Sequence, residues 1–125
     1  MLCNSSTWNG EQVSLHTERR GDVAVVAPHG PLDGGKLTKD LETEMRKLIY
    51  DDQKKILLDM GNVSRVSSLG IGALTGAHIS ATKRDVKLHV CNVDKRIKDI
   101  LVIVKLINVL NVFDKCEEAL AAFQE

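Results

Sequence analysis

The run KILLDM, Lys55–Met60, constrains the fold more than any other stretch of this chain. Ile56, Leu57 and Leu58 follow one another without a polar phase, so a strand here must be covered on both faces. Amphipathic segments able to do the covering stand on either side. Leu37, Leu41, Met45 and Leu48 recur at helical spacing, with Glu42 and Arg46 four apart on the outer face. Beyond the run, Leu74, Ala77, His78 and Ala81 mark a second helix.

Strand signals surround this centre. VSLHT (Val13 to Thr17) alternates apolar and polar residues, and Gly21-Asp22 separates it from VAVVA (Val23 to Ala27), which reads as a hairpin. Proline cannot donate to a sheet ladder, so PHGPLDGG (Pro28 to Gly35) is expected to end the second strand. VKLHVC (Val86 to Cys91) alternates again. In NVDKRIKDILVIVKL, Ile97, Ile100, Leu101 and Val104 keep helical spacing, which predicts a helix capped by Asn92 or Asp94. Val109 to Phe113 reads as a brief strand. Asp114 with Glu117 resembles a capping box that opens a last helix on Cys116, Ala119, Leu120 and Phe123. Alternation of this kind predicts one α/β domain over residues 13–125, with a mixed sheet of four to five strands and about four helices. Residues 1–12 read as a loose lead-in.

Composition narrows the function classes. Lysine plus arginine and aspartate plus glutamate number 17 each in 125 residues, so no net field draws in nucleic acid, and no basic stripe carries interleaved aromatics. The greasiest segment, Ile100 to Leu110, is interrupted by Lys105 and Asn108 and is too short to span a bilayer. The N-terminus lacks the basic region and apolar run of a signal peptide. Cys3, Cys91 and Cys116 are odd in number and far apart, which argues against a disulfide framework and a zinc site and suits a reducing cytoplasm.

No catalytic set emerges from spacing. His16, His29, His78 and His89 fall on different elements; His16 and His89 occupy the polar phase of their strands and read as solvated, His78 as partly buried. Asp33 and Asp59 each follow a strand, and structural roles fit them best: Asp33 capping the next helix, Asp59 fixing a turn. Gly70, Gly72 and Gly76 lie inside the second helix. Without a GK[ST] ending they make a weak phosphate loop, hence a weak nucleotide site, and close packing on the sheet is the leading explanation, with approach of a partner second. Ser67 and Ser68 precede that helix. Only one can be its cap; the other is presented at the helix mouth, where a phosphate is tolerated by the dipole.

These features together resemble a STAS domain, and most of all the stand-alone bacterial anti-sigma factor antagonists. GPLD (Gly30 to Asp33) is similar to the Gly-x-Leu-Asp after the family's second strand, and KKILLDMGNVSRV to its central strand and following loop. SSLGIGAL resembles the Asp-Ser-Ser-Gly-Leu-Gly signature, and VFDKCEEALAAF the start of the last helix. The resemblance covers about Val13 to Phe123. It places Ser68 at the phosphoacceptor position, Ser67 where the family carries aspartate, and Leu69 at the second serine, with Gly70 and Gly72 as motif glycines.

The implied function is a phospho-switch rather than an enzyme, with no cofactor or metal. Unphosphorylated protein would bind an anti-sigma factor that is also a serine kinase, through Asp33, Ser67, Ser68, Leu69 and Ile71, and so release a sigma factor. Phosphate on Ser68 would block that contact, and a phosphatase would reset it. The alternative is a STAS scaffold without phosphorylation, a subunit of a transporter or a multi-protein signalling complex, suggested by Ser67 and by apolar Val102 and Ile103 on the third helix.

Overall fold

A computed structural model describes residues 13–123, so the lead-in expected over residues 1–12 lies outside the described residues, as does Cys3. Strand β1 (Ser14–Arg20) turns at Gly21, where φ is +64°, and returns antiparallel as β2 (Val23–Leu32). There follow α1 (Lys36–Tyr50), β3 (Lys55–Asp59), β4 (Val63–Val66), α2 (Ser68–Lys83) and β5 (Lys87–Cys91). The chain ends with α3 (Lys95–Ile103), a 3-10 turn (Leu106–Asn108), β6 (Asn111–Phe113) and α4 (Cys116–Ala122). The six-stranded mixed sheet runs β1-β2-β3-β5-β6, with β4 pairing the far end of β2; every pairing except β1–β2 is parallel.

Two of these strands differ from the sequence expectation. β2 does not stop at Pro28 but continues through both prolines to Leu32. Its register with β3 covers Ala24 to Val26, and its register with β4 begins at Gly30. Pro28 stands opposite Leu15 of β1 and falls in the gap between β3 and β4 on the other edge, where a missing N–H breaks no pairing. β4, expected as loop, is a strand because this extension of β2 gives it an edge to pair with.

Side-chain alternation sorts the sheet into two faces. Ala24, Val26, Ile56, Leu58 and Val90 form the main core with Leu41, Leu74 and Leu101 of α1, α2 and α3. Val23, Val25, Leu57 and Cys91 form a smaller core against Ala119 of α4 and Phe123, which caps its C-terminus. Leu57 is wholly buried under α4, and its neighbours Ile56 and Leu58 are wholly buried on the opposite face.

That second face corrects the expectation for His89. It occupies the phase opposite to Leu88 and Val90, and α4 lies over that phase, so His89 is only 7% exposed. Its ring stacks on Phe123 with centroids 3.8 Å apart, and its Nδ1–H donates to the Ala119 carbonyl at 3.0 Å. Burial holds the imidazole below its ordinary value of 6.5, against the opposing pull of the Ala119 carbonyl. In the window just below 6.5 the unfolded chain binds more protons than the folded one, so stability is fully present above that pH and falls as pH drops through the window. His89→Leu is expected to reduce this acid loss, measured as denaturant midpoints at about pH 7.5 and about pH 5.5; an unchanged loss would refute it. His29, also held low by burial first and by His16 second, keeps its own share.

The caps divide in the same way. Asp94 accepts from Ile97 N–H at 2.9 Å and caps α3, as one of the two expected candidates. The capping box at Asp114 does not form: Lys115 is the N-cap residue of α4, and Asp114 Oδ1 instead accepts from Lys98 Nζ at 2.8 Å. The charge brought over by α3 outcompetes a cap that is one residue out of register.

The cysteines give the sharpest correction. Cys91 and Cys116, separated by 25 positions, form a disulfide with Cα atoms 5.2 Å apart. α4 packs on the sheet face that carries Cys91, and this brings its first residue over the end of β5. Spacing along the chain contains no sign of that approach.

Candidate functional site: the mouth of helix α2

The mouth is assembled by the turn after β3. Asp59 Oδ1 accepts from Gly61 N–H at 2.9 Å, so the carboxylate fixes this turn. The Asn62 carbonyl accepts from Gly30 N–H at 3.0 Å, which starts β4 alongside the extended β2. At the other end of β4, Ser67 N–H donates to the Leu32 carbonyl at 3.0 Å. The residue after Leu32 is Asp33, so this pairing carries the start of α2 to the GPLD segment.

Ser67 is the N-cap of α2, extended at φ −99°, and its Oγ accepts from Leu69 N–H at 3.2 Å. Ser68 is therefore the first helical residue, and it is exposed. Leu69 is 63% exposed, an unusual place for a large apolar side chain. Its side chain covers Gly34, which has φ +93° and where a Cβ would strike it. Gly34 is thus required twice, by its backbone and by its neighbour. Ile71 turns half inward and packs on the main core.

Asp33 does not cap α1. The N-cap residue is Gly35, with no side-chain bond, while Asp33 Oδ1 accepts from Gly35 N–H at 3.2 Å. Its Oδ2 accepts from Arg65 Nη2 at 2.9 Å. Residues 63–66 read as a loop in the sequence, which gives no sign of Arg65; as the strand β4 they place it beside Asp33. Arg96 adds a second guanidinium on this side, with Nη2 3.4 Å from the Ser64 carbonyl. The structure thus gathers Asp33, Ser67, Ser68 and Leu69 around one helix mouth, flanked by Arg65.

The three glycines separate. Gly70 is buried, and a Cβ there would strike the Leu32 carbonyl, so it is the residue that lets α2 approach β2. At Gly72 and Gly76 a Cβ would meet open space, which corrects the packing explanation for those two. Gly76 lines a shallow groove between α1 and α2 floored by Met45 and Ala73. Gly72→Ala and Gly76→Ala are each expected to raise stability by about 1 kcal/mol. Gly70→Ala is expected to lower it by about 1–3 kcal/mol. Thermal melts check the order, and a stabilising Gly70→Ala would overturn this account of the contact.

Chemically, the mouth offers a free hydroxyl at the positive end of a 16-residue helix, beside an exposed apolar side chain and a guanidinium already engaged by a carboxylate. Such a hydroxyl can accept a phosphoryl group. The other histidines stand apart from it: His16 and His29 meet across the hairpin with centroids 4.3 Å apart and rings tilted by 42°, and His78 is half-buried on α2.

Comparison with known proteins gives the family and the fold. The STAS domain family matches residues 14–119. No curated protein matches the sequence at a significant level. Among solved structures, an anti-sigma factor antagonist from Mycobacterium paratuberculosis superposes with a TM-score of 0.80 at 17% identity, covering 91% of this chain and 96% of that one. The Bacillus cell fate determinant SpoIIAA in its phosphorylated form gives 0.70 at 15% identity, with 88% and 99% covered. A sulfate transporter family protein from Wolinella succinogenes gives 0.68 at 22% identity, with 82% and 85% covered. At these identities the likeness is one of fold.

Proposed function

The chain belongs to the STAS domain family, and from that premise we propose that it is an anti-sigma factor antagonist switched by phosphorylation of Ser68. Unphosphorylated, it binds an anti-sigma factor with serine kinase activity, and a sigma factor is released. Phosphorylated, it no longer binds, and a phosphatase restores it. On this reading the protein acts in the cytoplasm as a kinase substrate and binding module, not as an enzyme. Among the described residues, no helix is long and apolar enough to cross a membrane.

The observation that carries the reading is the division of labour between the two serines. Ser67 supplies the cap and Ser68 is left exposed at the first helical position. Ser67 also stands where the family carries aspartate, and it keeps the capping function of that residue while removing its charge. Leu69 and Asp33 offer an apolar anchor and a polar rim on the same surface. The deciding experiment is incubation with the cognate kinase and ATP, followed by mapping of the phosphate by mass spectrometry. Label on Ser68, abolished in Ser68→Ala, supports the switch; label elsewhere or none overturns it.

A second reading, a non-phosphorylated subunit of a transporter or signalling complex, is favoured by one observation. Val102 and Ile103 on α3 are exposed, Ile103 at 77%. A pulldown that recovers a transporter component and no kinase, and that fails with Ile103→Glu, would favour it.

A further inference from the structure

We propose that Cys91 and Cys116 are a reversible dithiol–disulfide pair in which Cys116 is the sulfur open to exchange, and that reducing it loosens α4 from the sheet. The two cysteines are placed unequally. Cys91 is wholly buried at the end of β5, whereas Cys116 is half-exposed at the start of α4. A thiol or a small disulfide can therefore reach the pair only through Cys116. Asn92 Nδ2 lies 3.2 Å from Cys116 Sγ, positioned to donate to the thiolate that forms when the bond opens. That amide is itself held, because it also donates to Asp59 Oδ1 at 3.0 Å.

Asp59, Cys91 and Cys116 lie close enough to suggest a metal trio. Asp59 Oδ1, however, already accepts from both Gly61 N–H and Asn92 Nδ2. A metal would need the two thiolates, which exist only in the reduced pair, whereas the pair in this structure is joined as a disulfide.

The oxidant is a low-molecular-weight disulfide of the glutathione class. The Cys116 thiolate attacks one of its sulfurs, forming a mixed disulfide and expelling one thiolate. Cys91, losing its proton, then attacks Cys116 Sγ and expels the second. Two electrons pass from the protein to the reagent, which leaves as two thiols, and the reverse sequence with two thiols reduces the protein. Opening the bond moves the two sulfurs apart by roughly 1.5 Å, to van der Waals contact. α4 is ill-equipped to absorb this. It has 7 residues and no side-chain cap, and it docks through Ala119, Phe123 and the Ala119–His89 hydrogen bond.

The test uses the full-length Cys3→Ser chain, so that only this pair remains. Reduced protein is exposed to oxidised glutathione, freed of reagent, and treated with N-ethylmaleimide before and after denaturation. The expected result is the loss of two hydrogens in intact mass with no maleimide adduct. Re-reduction should then give two adducts, Cys116 reacting before Cys91 in the native protein. Amides of α4 should exchange faster in the reduced form, by at least tenfold more than those of α2, which follow only the global change in stability. Two adducts after glutathione treatment, or a persistent glutathione adduct on Cys116, would overturn the pair. Zinc retained at one per reduced chain through gel filtration would make the trio a metal site instead, and α4 exchange that accelerates no more than α2 exchange would overturn the loosening.

Discussion

S68D is expected to weaken binding to the anti-sigma partner roughly a hundredfold, about 3 kcal/mol, while leaving the melting temperature within a few degrees of wild type. The two halves of this expectation have different physical origins. Ser68 is exposed in the free protein, and its hydroxyl is not the cap, so the folded state has little to lose. A carboxylate at the first helical position interacts favourably with the dipole, by about 0.3–1 kcal/mol. In a complex that covers Leu69 and Asp33 the same charge would be desolvated beside an existing carboxylate, and the cost appears in affinity. S68A should bind as wild type and escape phosphorylation. Titration calorimetry with the purified partner measures both variants. Equal affinity of S68D and wild type would sink the switch; a large drop in the melting temperature of S68D would show that the serine had a structural duty.

Reduction of the Cys91–Cys116 bond is the second large effect, and it falls on stability. Closing a loop of 25 residues restricts the unfolded chain by about 3.5 kcal/mol on chain-entropy grounds. For a domain of this size that corresponds to a fall in melting temperature of roughly 10–15 °C on adding dithiothreitol. Cys116→Ser is the cleaner variant, because the half-exposed site accepts a hydroxyl, whereas serine at the wholly buried Cys91 would add a desolvation cost. The variant should melt near the reduced wild type and be indifferent to dithiothreitol. Identical melts of wild type with and without reductant would remove the contribution claimed for the bond.

These two predictions rest on different faces of the sheet. The Ser68 mouth lies where α2 meets the extended β2, and the disulfide lies under α4 on the opposite face. Their hydrogen-bond neighbourhoods meet at the β3–β4 turn, where Asp59 holds both Gly61 and Asn92 and Met60 N–H donates to the Cys91 carbonyl at 2.9 Å.

The sequence by itself determined what depends on near neighbours. Ile56 to Leu58 without a polar phase required helices on both sides, and helices are on both sides. The serine pair and Asp94 announced helix starts because a cap is made within three residues of itself, and the bonds from Leu69 and Ile97 are of that kind. Only the tertiary structure decided which alternating face is covered, and by what. Period-two alternation says that the two sides of β5 differ; it does not say that α4, some 30 residues on, lies over His89. The same ignorance hid the Cys91–Cys116 bond, the use of Asp114 by Lys98, and the strand β4 that sets Arg65 against Asp33. It also hid the difference between Gly70, pressed on the Leu32 carbonyl, and Gly72, facing open space. Local hydrogen bonds and hydrophobic periods are written along the chain, but the identity of a distant neighbour is a property of how the layers close.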